Sequence, residues 1–125
     1  MKTIISLVLI ITCFCSNVTG QKASDLKLIN AIKAGDSSSR TIRKLIRKSR
    51  DLDAKDGMGK SAVYWASYMG DGMILKRLVS AGADVNLADQ NGNTPMCIAV
   101  CRRDLALVKQ LLASGANVNL LTMGI

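Results

Sequence analysis

The sequence predicts an all-α solenoid of about three helix-turn-helix units joined by finger loops. Two observations carry the prediction. The chain repeats itself after 33 residues: Asp53 through Ala66 aligns with Asn86 through Ala99, so that Asp56 falls on Asp89, Gly59 on Gly92 and Ser61 on Thr94. The unit ends agree at the same offset, Gly82-Ala-Asp-Val-Asn86 on Gly115-Ala-Asn-Val-Asn119. A fixed period of this length marks stacked supersecondary units, not one globular core. Between the repeated loops, apolar residues recur at helical spacing, as in Leu28, Ile29 and Ile32 or Ile42, Leu45 and Ile46.

Residues 1–20 read as a secretory signal peptide. Met1-Lys2 gives a positive start, Ile4 to Phe14 an apolar run, and Val18-Thr-Gly20 small residues for cleavage. The run is too short for a membrane span, which needs roughly 20 apolar residues. Cleavage after Gly20 leaves Gln21 at the new N-terminus; cleavage after Cys15 is the alternative and would spare the glycosylation pattern Asn17-Val-Thr19. The expected location is therefore outside the cell. Loss of Lys2 leaves 16 basic residues against 9 acidic ones, a net charge of +7.

The expected units are a degenerate N-terminal capping repeat (21–53), two full repeats (54–86 and 87–119) and a truncated tail (120–125). In the first, Ser24 caps a helix that ends at Gly35, a polar loop at 36–40 absorbs two extra residues, and a second helix runs from Thr41 to Lys48. The second unit has a loop at Asp53 to Lys60, a first helix from Ser61 to Met69 and a second helix from Asp71 to Ser80, which by the family resemblance described next correspond to a finger, an inner helix and an outer helix. In the third these become Asn86 to Asn93, Thr94 to Arg102 and Asp104 to Ala113. Asp71 and Asp104 can cap the outer helices, and Pro95 sits in a first turn, where its missing N–H costs nothing. Leu78, Val79, Leu111 and Leu112 form the apolar ridge that each unit offers its neighbour.

Asp89-x-x-Gly-x-Thr-Pro-Met-Cys-Ile-Ala99, followed by Leu111-Leu112 and Gly115-Ala-Asn-Val-Asn119, resembles the ankyrin repeat. The resemblance is strong from Asp53 to Asn119 and weaker before it. Where the family has Thr-Pro-Leu-His, the third unit has Thr94-Pro-Met-Cys97 and the second Ser61-Ala-Val-Tyr64, so the family's Thr–His hydrogen bond is lost from both. The glycine between the two helices is kept as Gly70 but is Arg103 in the third unit, where a positive φ would be costly. The resemblance implies a binding module that meets a protein partner through its finger tips and the exposed side of its inner helices. The corresponding positions are Lys55, Gly57, Met58, Lys60, Tyr68 and Met69 in the second unit, and Ala88, Gln90, Asn91, Asn93, Cys101 and Arg102 in the third. Trp65 takes the place of a buried leucine and is expected in the core.

Catalysis is not expected. Histidine is absent and all nine acids are aspartate, which removes the commonest general base and zinc ligand together. Ser37, Ser38 and Ser39 have no base to activate them. Gly57-Met-Gly-Lys-Ser61 lacks the upstream glycine of a phosphate-binding loop. No metal and no cofactor are expected. Cys97 and Cys101, four apart on one helix, hold their Cβ atoms ~5–6 Å apart, too far for an unstrained bridge; Cys101 is the candidate for an intermolecular disulfide.

The strongest charge feature is Arg40-Thr-Ile-Arg-Lys-Leu-Ile-Arg-Lys-Ser-Arg50. Helical spacing sets Arg43, Arg47 and Arg50 on one strip and Arg40, Lys44 and Lys48 on the next. This stretch supports an alternative function, a cationic protein that binds membranes or polyanions; nucleic acid is not expected, since no aromatic residue interleaves to stack on bases. The primary expectation is an exported protein-binding module, a venom component or effector. Self-association through the C-terminal end is a further expectation, because Leu120-Leu-Thr-Met-Gly-Ile125 adds four large apolar side chains there.

Overall fold

The computed structural model describes residues 25–119 apart from residue 37. The expected leader, the Ser24 cap and the tail 120–125 lie outside the described residues. Six helices make three pairs: α1 (25–33) with α2 (Ser39–Lys48), α3 (Ala62–Met69) with α4 (Gly72–Ser80), and α5 (Pro95–Cys101) with α6 (Leu105–Ala113). α3 packs on α5 in an inner row, while α2, α4 and α6 form an outer row. None of these helices is long and apolar enough to cross a membrane.

The helix starts are set by side-chain caps at the repeat period. Ser61 accepts the Tyr64 N–H, Thr94 that of Cys97, Asp71 those of Met73 and Ile74, and Asp104 that of Leu107. Each satisfies a donor that the helix cannot, worth about 1 kcal/mol. α2 is the exception: it starts at Ser39, ahead of the expected Thr41, with no side-chain cap. Between α3 and α4 the chain turns through Gly70 at φ +73°, and between α5 and α6 through Arg103 at φ +56°. The same turn is thus imposed on an arginine, at a cost of about 1–2 kcal/mol.

One core runs through all three pairs. Leu28, Ile29 and Ile32 of α1, Ile42 of α2, Val63 of α3, Leu75 and Leu78 of α4, Met96 of α5 and Leu107 and Leu111 of α6 are all buried in it. The expected ridge needs correction. Leu78 and Leu111 are fully buried, but Val79 is half-buried and Leu112 is exposed. Val79 packs on the core and lines the groove between α4 and α6, whereas no described helix follows α6 to pack beside Leu112.

Candidate binding surface

Each finger is built around one aspartate. The Asp56 Oδ1 accepts the N–H groups of Met58 at 2.9 Å and Lys60 at 3.0 Å, and the Asp89 Oδ1 accepts those of Asn91 and Asn93, both at 2.9 Å. The carboxylate replaces the backbone partners that so tight a loop cannot supply. Asp56 does more than Asp89. Its Oδ2 also accepts the Trp65 indole N–H at 2.9 Å and the Lys33 ammonium at 2.9 Å, with the Asp56 side chain only 7% exposed. Burial alone would raise the Asp56 pKa, but the hydrogen bonds from Lys33, Lys60 N–H, Trp65 and Met58 N–H outweigh it and hold the pKa at about 2.

Trp65 is accordingly not the buried core residue expected from its position. It is half-buried, because its ring edge is drawn to Asp56 and its face carries the Lys33 ammonium 4.4 Å from the ring centre. Tyr68 meets it edge-on at 5.4 Å, and Lys60 lies 5.2 Å from the rings of both Tyr64 and Trp65. Tyr64 is buried, and that burial, with the Asp89 carboxylate next to it, pushes its phenol pKa up. At the base of the third finger Thr94 donates its hydroxyl to the Cys97 sulfur at 3.3 Å, so cysteine takes over as acceptor where the Thr–His bond was expected to be lost.

Several of the expected contact residues are already occupied. Lys55 donates to the Ala88 carbonyl at 2.8 Å and Gln90 to the Gly57 carbonyl at 3.1 Å, each reaching across 33 residues to the neighbouring finger. Arg102 donates to the Tyr68 carbonyl at 2.7 Å and so satisfies the open end of α3. Two glycines make room for these contacts: a Cβ on Gly59 would come within 3.0 Å of Gln90, and one on Gly70 within 2.8 Å of the Arg102 guanidinium. Lys60 is committed to the rings, and Asn93 is half-buried. Of the expected set, Met58, Tyr68, Met69, Asn91 and Cys101 remain exposed with their side chains free to meet a partner.

The six cations of residues 40–50 do not form one face. Arg43 and Arg47 line a groove against α4, together with Lys76 and Arg77; Arg40, Lys44 and Lys48 line another on the α1 side, together with Lys27. Arg50 lies beyond the helix end and is exposed. Sequence reasoning missed Lys33, Lys76 and Arg77. No single-sequence signal assigns Lys33 to Asp56, because the two are joined only by stacking of units.

A stack of helix pairs with an inner row, an outer row and loops that hydrogen-bond from unit to unit defines a repeat scaffold. Residues 28–122 match the family model described as ankyrin repeats (3 copies). The chain belongs to the ankyrin-repeat family, a non-catalytic module for protein–protein interaction. A search among curated proteins returned no match.

Proposed function

We propose that the chain is an exported binding protein, without catalysis of its own, that captures another protein on the inner face of its second unit. The observation that supports this is the set of exposed side chains there: Tyr68 and Met69 at the end of α3 and Met58 on the finger, all large and all about half exposed. Aromatic and thioether side chains make interface anchors, and those around them are held rigidly by the inter-unit bonds, which lowers the entropy lost on binding. Changing Tyr68 and Met69 together to alanine should weaken partner affinity at least ~30-fold, equivalent to about 2 kcal/mol. Lys109→Ala, on the outer row, should leave it unchanged. Equal affinity of the parent and the Tyr68/Met69 variant in a binding titration overturns the assignment.

Export rests on residues 1–20, and a small secreted binder of this kind suits a venom component or effector that acts on another cell. Produced in a eukaryotic secretory host, the chain should enter the medium beginning at Gln21. Retention inside the cell with residues 1–20 attached would sink this reading.

Self-association at the C-terminal end is supported by a comparison within the stack. Ser67 and Val85 of the second unit are 0% and 5% exposed, whereas their counterparts 33 residues on, Val100 and Val118, are 46% and 48% exposed. A second copy meeting this end face to face is favoured over head-to-tail stacking, because the opposite end carries the cations Lys27, Arg40, Lys44 and Lys48. Sedimentation should show a dimer for the parent and a monomer once Val100 and Val118 are changed to lysine. A parent that is monomeric at high concentration contradicts it.

A further inference from the structure

On the outer row, away from the inner face, α2 and α4 enclose a groove of unusual composition. Arg43 and Arg47 rise from α2, one turn apart; Lys76 and Arg77 rise from α4; Ile46 and Met73 lie between them. Arg77 donates to the Ser39 hydroxyl at 3.2 Å and is thereby tied across the groove to α2. None of the four cations has a carboxylate partner among the described residues. The next groove along, between α4 and α6, has the same place in the repeat and carries Lys76 as its sole cation, with Asp71 on its wall. Concentrated positive charge is therefore a property of this groove and not of the stack as such.

We propose that the α2–α4 groove is a docking site for an acidic peptide segment of a partner protein, one with an apolar residue between carboxylates. Two features select that occupant. Four facing cations repel one another in the empty groove, and ligand carboxylates relieve this, with the arginines able to bond them in bidentate fashion. The charges stand on both walls with an apolar strip between, so the ligand needs charge on both sides and an apolar group in the middle. A sulfated sugar chain has no such group, and a flat bilayer cannot enter the concavity. The site does not depend on the inner-face reading and can fail or succeed separately.

The test is fluorescence anisotropy of the full mature chain with a labelled peptide, Gly-Asp-Glu-Leu-Asp-Glu-Gly. The comparison ligands are a heparin-derived oligosaccharide and vesicles of phosphatidylserine and phosphatidylcholine. Arg43→Gln with Arg47→Gln should raise the peptide Kd at least ~10-fold, and Lys76→Gln with Arg77→Gln should do the same. Arg40→Gln with Lys44→Gln removes equal charge from the other side of α2 and should change Kd less than ~3-fold. Replacing the peptide leucine with serine should weaken binding to the parent. Arg43 and Arg47 are exposed, so their loss does not threaten the fold. The proposal is overturned if the parent does not bind the peptide, or if all three double variants weaken it equally, which would mean bulk charge alone. It is also overturned if the oligosaccharide or the vesicles bind through Arg43 and Arg47 while the peptide does not.

Discussion

Replacing Leu78 or Leu111 with alanine is expected to remove a large share of the protein's stability. Both side chains are fully buried, in α4 and α6, and both belong to the one core that joins the three units. Each truncation should cost ~2–5 kcal/mol, the sum of lost transfer energy and the cavity left behind. At roughly 0.05–0.15 kcal/mol per residue, a stack of about 95 residues holds only some 5–14 kcal/mol in total. Units in a solenoid draw stability from their neighbours, so a weakened second unit takes the first and third with it. Leu112→Ala is the control: the exposed side chain should cost less than ~1 kcal/mol. Denaturant titrations followed by helical circular dichroism separate the three variants. Wild-type midpoints for both Leu78→Ala and Leu111→Ala would refute the continuous core.

Asp56→Asn should be the most damaging polar substitution, at about 2–3 kcal/mol. The amide keeps the shape but puts an N–H₂ where Oδ2 now receives the Lys33 ammonium and the Trp65 indole, leaving two donors facing a third. Asp89→Asn should cost less: the amide oxygen can keep the two backbone N–H bonds made through Oδ1, and the Tyr64 hydroxyl beside it can accept from the amide N–H₂ as well as donate. The pH dependence has a definite sign. The folded-state pKa of Asp56 is lowered from 3.8 to about 2, so its contribution is complete above pH ~4 and is lost as pH falls towards 2. At 1.36 kcal/mol per unit this amounts to roughly 2 kcal/mol. The stability gap between parent and Asp56→Asn should narrow accordingly between pH 5 and 2 on the order of that amount. A gap that does not change with pH would show that the carboxylate charge contributes nothing.

The repeat made the fold readable. Gly59, Gly70 and Gly92 mark positive-φ turns, Asp71, Asp104 and Thr94 mark helix starts, and all three kinds of signal return at the same offset. Even the conflict at Arg103 was visible, because its counterpart is Gly70. What a repeat cannot reveal is where two units differ in what they touch. Trp65 packs against the core as its position in the unit suggests, but it is only half-buried, because the Asp56 carboxylate and Lys33 draw it partly outward. Lys55, Gln90 and Arg102 occupy positions of the kind that face partners, yet here they reach back to neighbouring carbonyls, and only the distance between stacked units decides that. The basic stretch 40–50 was legible as charge; its division between two grooves depends on Lys27, Lys76 and Arg77, which are remote in sequence.

The inter-unit hydrogen bonds have a mechanical consequence. Along the fingers and inner helices the second and third units are joined by Lys55 to Ala88, the Gln90 side chain to Gly57, the Gln90 N–H to Met58, and Arg102 to Tyr68. On the outer row they are joined by Gln110 to Gly72. Four ties face one, so the spacing between fingers is stiff and the spacing between outer helices is compliant. When thermal motion bends the stack, the pivot lies along the fingers and the amplitude appears at α4 and α6. A pulling force on the two ends would part the outer helices first and the fingers last.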